Sequence, residues 1–228
     1  MNLHDAPGWF GKLATQGDFA SRRLPPEWVQ ACDRWLSECV SSSKHQLGEG
    51  WLETYLNAPV WRFAWAPGVV DDQWWFGVLM PSCDNVGRYF PIVIVQPRAQ
   101  APADRIGLNH LDLWWAHLAR AALNTLAEGA TLEAFEGVLH DAPPWPGAAS
   151  MPPMTALTSA DGRWRQAVPA GATLGEISHA LAASELQQRL SQASFWWPLW
   201  PSAHAGSCTI VAGLPPPQAF AEMLVGTW

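Results

Sequence analysis

Residues 60–96, VWRFAWAPGVVDDQWWFGVLMPSCDNVGRYFPIVIVQ, decide the fold of this chain. They contain three apolar runs, VWRFAWA, QWWFGVLM and IVIVQ, which are separated by a Pro-Gly break and by the polar loop SCDNVGRY. Aromatic and β-branched residues in short runs are typical of strands. Because the runs are apolar nearly throughout, instead of alternating, we expect a central sheet that helices cover on both faces.

The flanking segments predict the covering helices. Apolar residues recur at helical spacing from Trp28 to Val40, and the polar run SSSK ends that element. The clearest helix is predicted over residues 109–128, with Asn109 as its cap and Gly129 as its stop. Other helices are predicted over residues 51–57, 131–139 and 215–226, and from Thr173, which has capping-box spacing to Glu176 and precedes the apolar stripe Ile177, Leu181, Leu186 and Leu190.

The remaining strands are predicted over residues 8–13, 194–200 and 207–213. Together these elements predict a single compact three-layer α/β domain over residues 1–228, with a mixed central β-sheet and helices on both faces. Its motif-bearing part is residues 8–140, and residues 156–228 are expected to complete the same fold. Between them, the proline-rich loop 141–155 is an exposed connection, a boundary or a hinge, because its prolines forbid regular structure.

The composition excludes several classes of function. Lys and Arg number 13 against 20 Asp and Glu, and the net charge of −7 would repel nucleic acid and anionic lipid. The sequence shows no secretory signal and no apolar run of membrane-spanning length, so we expect a cytoplasmic protein without membrane insertion. Its four cysteines lack zinc spacing, and we expect them to be ordinary buried thiols.

No standard catalytic motif is present. Gly11-Lys12 resembles the end of a phosphate-binding loop, but Ala6 and Leu13 occupy the positions where that motif needs glycine and Ser or Thr. His110 and His117 are seven residues apart, about 10.5 Å along a helix, which is too far to share one metal ion. The sequence therefore predicts no catalytic residue, no cofactor and no metal.

Two polar islands interrupt the apolar segments. The first lies in GKLATQGDFASR and contains Lys12, Gly17, Asp18 and Arg22. One interpretation is a turn in which Gly17 adopts an unusual backbone angle and Asp18 binds nearby amides. The other is a charged contact patch, formed by Lys12, Asp18 and Arg22 beside a hydrophobic edge.

The second island connects two apolar strands and contains Ser82, Asp84, Asn85, Gly87, Arg88 and Tyr89. Asp84 and Arg88 can simply pair with each other and satisfy the loop, which would contribute little at the surface. A fixed loop at the end of a sheet is also where recognition residues are commonly placed. Both interpretations stay open on the sequence alone.

Sixteen tryptophans require more than one role. Six lie on periodic or strand-like apolar segments and are predicted to be core residues: Trp28, Trp35, Trp61, Trp65, Trp115 and Trp197. Trp145, in the loop PPWPG, and Trp228, at the end of the sequence, have no such support. They are candidate exposed anchors for a partner, since tryptophan is enriched at interface hot spots, although Trp145 can instead pack within its own loop.

The segments GKLATQGDFASRRL and WWFGVLMPSCDNVGRYFPIVI resemble the TagF (ImpM-like) family of type VI secretion accessory proteins. The order and spacing of the two segments fit the family, and SFWWP adds a weaker third feature. Ala14, Cys83 and Ile92 depart from the residues we expect there, but each preserves volume or loop character.

This resemblance implies a cytoplasmic, posttranslational negative regulator of a type VI secretion system that acts through a forkhead-associated scaffold protein. It implies no catalytic residue. We therefore expect a noncatalytic protein that binds other proteins through the two islands. The alternatives are a small-ligand sensor or enzyme with a pocket built from Lys12, Asp18, Asp84 and Arg88, and a structural subunit of the secretion machine.

Overall fold

The computed structural model describes residues 6–102, 104–145, 168–199 and 207–228. A seven-stranded sheet forms its centre, in the order β2-β1-β5-β4-β3-β6-β7. The strands are β1 Gly8–Gly11, β2 Ala20–Arg22, β3 Val60–Trp65, β4 Trp74–Met80, β5 Ile92–Arg98, β6 Ala193–Leu199 and β7 Thr209–Ala212. The helices are α1 Pro26–Leu47, α2 Trp51–Leu56, α3 Arg105–Asn124, α4 Leu132–His140, α5 Leu174–Arg189 and α6 Phe220–Val225.

The predicted α/β class is confirmed, and helices cover both faces of the sheet. Side chains alternate along β4, so that Trp75 and Leu79 pack towards α1 and α6, whereas Trp74 and Phe76 pack towards α3. Every residue of β4 is buried. The nearly continuous apolar run therefore reflects a strand that is covered on both sides, as its sequence predicted.

The sheet is not mixed as predicted, because all six pairs of named strands in the described residues are antiparallel. Helices do not alternate with strands in the central part of the chain. β3, β4 and β5 follow one another through short connections, and such connections join antiparallel neighbours, whereas parallel neighbours need a long crossover. β6 pairs with β3, which places strands from both sides of the proline-rich segment in one sheet.

Helix α3 begins at Arg105, four residues before the expected cap Asn109. Asp104 is the actual cap, since its carboxylate accepts a hydrogen bond of 2.7 Å from the amide of Gly107. The helix ends at Asn124, before the turn that leads to Gly129. The capping box of Thr173 and Glu176 is present as predicted and opens α5.

The predicted core tryptophans are buried except for Trp197, which is half-buried. The four cysteines do not share one environment as expected: Cys32 and Cys39 are buried on α1, Cys83 is partly exposed and Cys208 is exposed. Burial raises the pKa of the Cys32 and Cys39 thiols, so both remain protonated at neutral pH. Among the described helices, none is long and apolar enough to cross a bilayer.

Candidate functional site

The two polar islands meet at one end of the sheet. The first occupies the loop after β1 (residues 12–19), and the second occupies the loop between β4 and β5 (residues 81–91). Gly11, at the end of β1, and Met80, at the end of β4, both pair with Ile92, the first residue of β5. The sheet register therefore brings the two loops side by side.

One glycine permits this close approach, and a second permits the turn of the second loop. Gly11 has a φ of +134°, and an added Cβ would overlap the carbonyl oxygen of Pro91. Gly87 has a φ of +80° in the turn of the second loop. The unusual backbone angle predicted for Gly17 is wrong: its φ is not positive, and an added Cβ would meet Asn85 at an ordinary 3.5 Å.

A buried ion pair joins the loops. Lys12 Nζ lies 2.6 Å from Asp84 Oδ2, and these residues are only 4% and 2% exposed. The structure thus contradicts the expectation that Lys12 belongs to an exposed contact patch. The reason is that the residue after Gly11 points inward, where its ammonium also lies 4.8 Å from the ring centroid of Phe19.

Arg88 completes the network from the solvent side. Its Nε donates to Asp84 Oδ2 at 2.7 Å and its Nη2 donates to the carbonyl of Gly17 at 2.5 Å, while Nη2 lies 3.8 Å from Asp18 Oδ1. The predicted pairing of Asp84 with Arg88 is therefore confirmed, and it extends to the first loop. All four groups of the predicted pocket, Lys12, Asp18, Asp84 and Arg88, lie in one connected cluster.

Backbone hydrogen bonds fix the same arrangement. Ser82 Oγ donates to the carbonyl of Lys12 at 2.7 Å, and Asn85 N donates to the carbonyl of Gln16 at 3.0 Å. The buried hydroxyl of Tyr55 accepts from Ser82 N and donates to Ser82 O, both at 3.0 Å. Tyr55 lies on α2, so these two hydrogen bonds attach the second loop to that helix.

The carboxylate of Asp84 is strongly stabilised in its charged form. Burial alone would raise its pKa, but hydrogen bonds from Lys12, from the amide and guanidinium of Arg88 and from the amide of Val86 outweigh burial and hold the pKa well below its ordinary value. At neutral pH the ionised carboxylate of Asp84 therefore holds Lys12 of the first loop and Val86 and Arg88 of the second.

Four of the side chains that this frame leaves exposed, Asp18, Phe19, Val86 and Arg88, form what we call the loop surface. The side chains of Asp18 and Arg88 are 80% and 55% exposed. Phe19 and Val86 were not singled out by the sequence analysis. Phe19 is half-exposed although its ring lies edge-on to Phe90 at 4.8 Å. In the sequence, the position of this aromatic residue beside Asp18 in a polar loop could have indicated an exposed ring.

Arg22 does not join this cluster, contrary to the predicted patch. It lies opposite Trp9 in the β1–β2 pair, and its guanidinium points to Glu136 on α4 at 3.6 Å. Glu136 Oε2 also accepts a 2.6 Å bond from Arg23, and Glu136 Oε1 accepts a 2.6 Å bond from Trp9 Nε1. The sequence analysis missed this second network, which fastens α4 to the edge of the sheet.

The candidate anchors Trp145 and Trp228 are half-buried and not freely exposed. Trp145 packs against Phe76 and Trp114, with ring centroids at 4.9 and 5.2 Å. Trp228 meets Trp61 edge-on at 6.0 Å. Each ring thus extends a core cluster. Trp145 is therefore neither an exposed anchor nor packed only within its own loop, the two arrangements that the sequence left open. The rest of the proline-rich loop, residues 146–155, lies outside the described residues.

Comparisons with known proteins agree with this architecture. The crystal structure of PA0076 from Pseudomonas aeruginosa PAO1 is 36% identical in sequence, with 97% of this chain and 94% of that chain covered and a TM-score of 0.76. No curated protein matches the chain. The family model for the TagF N-terminal domain, described as type VI secretion system-associated, matches residues 8–142 and so includes both loops of the site. The chain belongs to the TagF family of type VI secretion system-associated proteins.

Proposed function

We propose that this protein is a noncatalytic, cytoplasmic regulator that represses a type VI secretion system posttranslationally by binding a cytosolic component, a forkhead-associated scaffold protein. Family membership supports the link to the secretion system. The loop surface carries the binding role, because its exposed side chains stand on loops that the buried pair of Lys12 and Asp84 holds in place. A preformed surface loses little conformational entropy when a partner binds.

The composition of the loop surface suits protein recognition. Asp18 and Arg88 offer opposite charges within 3.8 Å, and Phe19 and Val86 offer apolar area beside them. Exposed charges at the rim of an interface steer association and set its register, while a partly buried aromatic ring supplies contact area. This combination favours a partner with a complementary mixed surface.

The burial and full hydrogen bonding of the Asp84 carboxylate favour a noncatalytic role. Asp84 accepts hydrogen bonds from Lys12, from Arg88 and from the amide of Val86, and its side chain is closed to solvent. A general base must come within hydrogen-bond reach of a substrate proton. The alternative pocket of Lys12, Asp18, Asp84 and Arg88 would need the central carboxylate to be accessible, so the geometry disfavours it.

A pull-down with the purified scaffold protein tests the surface. We expect the double variant Asp18→Ala, Arg88→Ala to recover much less scaffold than the wild type. The matched control is Arg34→Ala, Glu38→Ala, which removes one charge of each sign from exposed positions on α1. Equal recovery by the two double variants, with both shown to be folded by circular dichroism, would exclude the loop surface as the binding site.

A secretion assay tests the sign of the regulation. We expect deletion of the gene to raise secretion through the system, and the wild-type protein, but not the Asp18→Ala, Arg88→Ala variant, to lower it again. A structural subunit would give the opposite result, because its deletion would abolish secretion. This measurement separates a repressor from a component of the assembled machine.

A further inference from the structure

An apolar cleft of about 390 Å³ lies between α5 and the opposite wall formed by α3 and the sheet. It shares no residue with the loop surface. Five aromatic residues line it, Trp74, Phe76, Trp115, Phe195 and Trp197. Its volume falls within the range of small-molecule sites, about 300–1,000 Å³, and such sites are lined mainly by apolar and aromatic side chains with a few polar groups.

The lining is rigid on the sheet side. The ring of Trp115 meets Trp197 edge-on, with centroids at 4.4 Å, and Phe195 packs on Trp197 at 4.6 Å. Trp115 is also in contact with Phe76 at 6.0 Å. Since each ring is held by its neighbours, this wall is formed before anything binds to it.

The wall contributed by α5 does not fill the cleft. Among the side chains of α5 that the structure describes, only Ala180 is buried, and the helix presents the small residues Ala182 and Ala183 to the cleft. Leu186 on α5 and Leu108 on α3 line the cleft and remain about half-exposed. Apolar side chains around a cleft that the described residues leave unfilled gain from being covered by an apolar ligand.

Polar groups are confined to the rim. Asp112 and His179 are the ionisable residues in the lining, and both are exposed. Arg62 fixes Asp112 in place, because its Nη1 lies 2.8 Å from Asp112 Oδ1 while its guanidinium covers the ring of Trp197 at 5.0 Å. Because Arg62 offsets its charge, Asp112 selects by hydrogen bonding: its exposed carboxylate can accept a bond from a hydroxyl or amide, whereas the carboxylate of a ligand has no proton to donate.

We propose that this cleft binds an uncharged, mainly hydrocarbon or aromatic small molecule whose single polar end donates a hydrogen bond to Asp112. The net charge of −7 adds to the preference against anionic ligands. The apolar body contacts the aromatic wall, and the polar end lies at the rim beside His179. The bound molecule fills the space between α5 and α3.

Fluorescence titration of the full-length protein with N-phenyl-1-naphthylamine, an uncharged apolar probe, tests the site. We expect saturable binding of one probe per chain, and displacement by decan-1-ol at a concentration about tenfold lower than by decanoate. We expect the Asp112→Asn variant to narrow the difference between the displacing concentrations of the alcohol and the carboxylate. Absence of saturable binding, or equal displacement by the alcohol and the carboxylate, would overturn the proposal.

Two variants locate the binding in the cleft. Ala183→Trp places an indole in the cleft, and we expect it to weaken probe binding by at least about tenfold. The matched control Glu185→Trp adds the same ring at an exposed position of α5 that does not line the cleft. If Ala183→Trp does not fold, Leu186→Glu serves instead, because it places a charge at a half-exposed position of the lining. Unchanged affinity in the folded cleft variant would rule the cleft out.

Discussion

Lys12 Nζ lies 2.6 Å from Asp84 Oδ2, although the two residues are 72 positions apart in the chain. The pair connects the loop after β1 to the loop after β4, and β5 lies between those two strands in the sheet. It therefore joins the loops across the end of an intervening strand. Because both side chains are closed to solvent, removal of Asp84 leaves the buried ammonium of Lys12 without its counterion, whereas removal of Lys12 leaves Asp84 paired with Arg88 alone.

The ion pair makes the free energy of unfolding depend on pH in the acidic range. The pKa of Asp84 in the folded protein lies well below its ordinary value of about 3.9. A carboxyl group with a lowered pKa stabilises the folded state fully above the unfolded pKa, and that stabilisation is lost as the pH falls towards the folded pKa. We expect the free energy of unfolding of the wild type to exceed that of Asp84→Asn by a constant amount above about pH 5, and the difference to shrink below about pH 4. Urea denaturation of both proteins from pH 3 to pH 7 measures this difference in the free energy of unfolding.

Asp18→Asn is the control for this experiment at pH 7. Asp18 is exposed and lies 3.8 Å from Arg88, and an exposed ion pair contributes about 0–1 kcal/mol. We therefore expect Asp18→Asn to lose much less stability than Asp84→Asn. Similar losses in the two variants would contradict a special role for the buried pair.

Two glycines near the site should respond very differently to substitution. Gly11→Ala forces a Cβ against the carbonyl of Pro91 at a φ of +134°, and we expect it to lower the free energy of unfolding by at least about 2 kcal/mol. Gly17→Ala meets only ordinary contacts with Asn85, and we expect a change within about 0.5 kcal/mol. Urea unfolding at pH 7 compares them, and equal losses would show that the close approach of β1 to Pro91 is not a constraint.

Phe19 should matter more for binding than for folding. Its ring is half-exposed, so Phe19→Ala removes contact area from the loop surface without opening a deep cavity. We expect the affinity for the proposed scaffold partner to fall about tenfold or more, and the free energy of unfolding to fall by only about 1 kcal/mol. Leu56→Ala removes an exposed apolar side chain from α2 as the control. Isothermal titration calorimetry measures both affinities, and an equal effect of the control would refute the assignment.

The sequence predicted the elements of the fold better than their pairing. The apolar run of residues 74–80 indicated a strand covered on both faces, because burial imposes that composition directly. It did not indicate strand direction, which depends on the lengths of connections to the other strands. The start of α3 was misplaced because Asp104, its true cap, follows the loop-like segment QAPA, and Asn109 offered an equally good local signal.

The candidate site was predicted in part for a similar reason. Asp84 and Arg88 are four residues apart, so their pairing was visible as a local possibility. The partnership of Asp84 with Lys12 depends on the sheet register, which composition and spacing do not reveal. Glu136 was missed because a glutamate within the helix LEAFEGVLH is normally solvated, and only its distant partners Trp9 and Arg23 explain its burial.

Two tryptophans of α1 test how much the buried indole hydrogen bonds contribute. Both are buried in the aromatic cluster around Trp65. Trp35 Nε1 donates to the carbonyl of Pro215 at 2.8 Å, whereas Trp28 Nε1 is buried without a hydrogen-bond partner among the described residues. Substitution by phenylalanine removes similar volume from each position, but only Trp35→Phe leaves a carbonyl oxygen unsatisfied.

We expect Trp35→Phe to lower the free energy of unfolding by about 1–2 kcal/mol more than Trp28→Phe does, since leaving a buried acceptor unpaired costs about that much. Trp28→Phe also removes a buried donor that lacks a partner, which offsets part of its packing loss. Urea denaturation of both variants at pH 7 gives the comparison. A larger loss for Trp28→Phe would mean that ring packing against Trp65 and Trp75, at 5.6 and 5.1 Å, outweighs the hydrogen bond of Trp35.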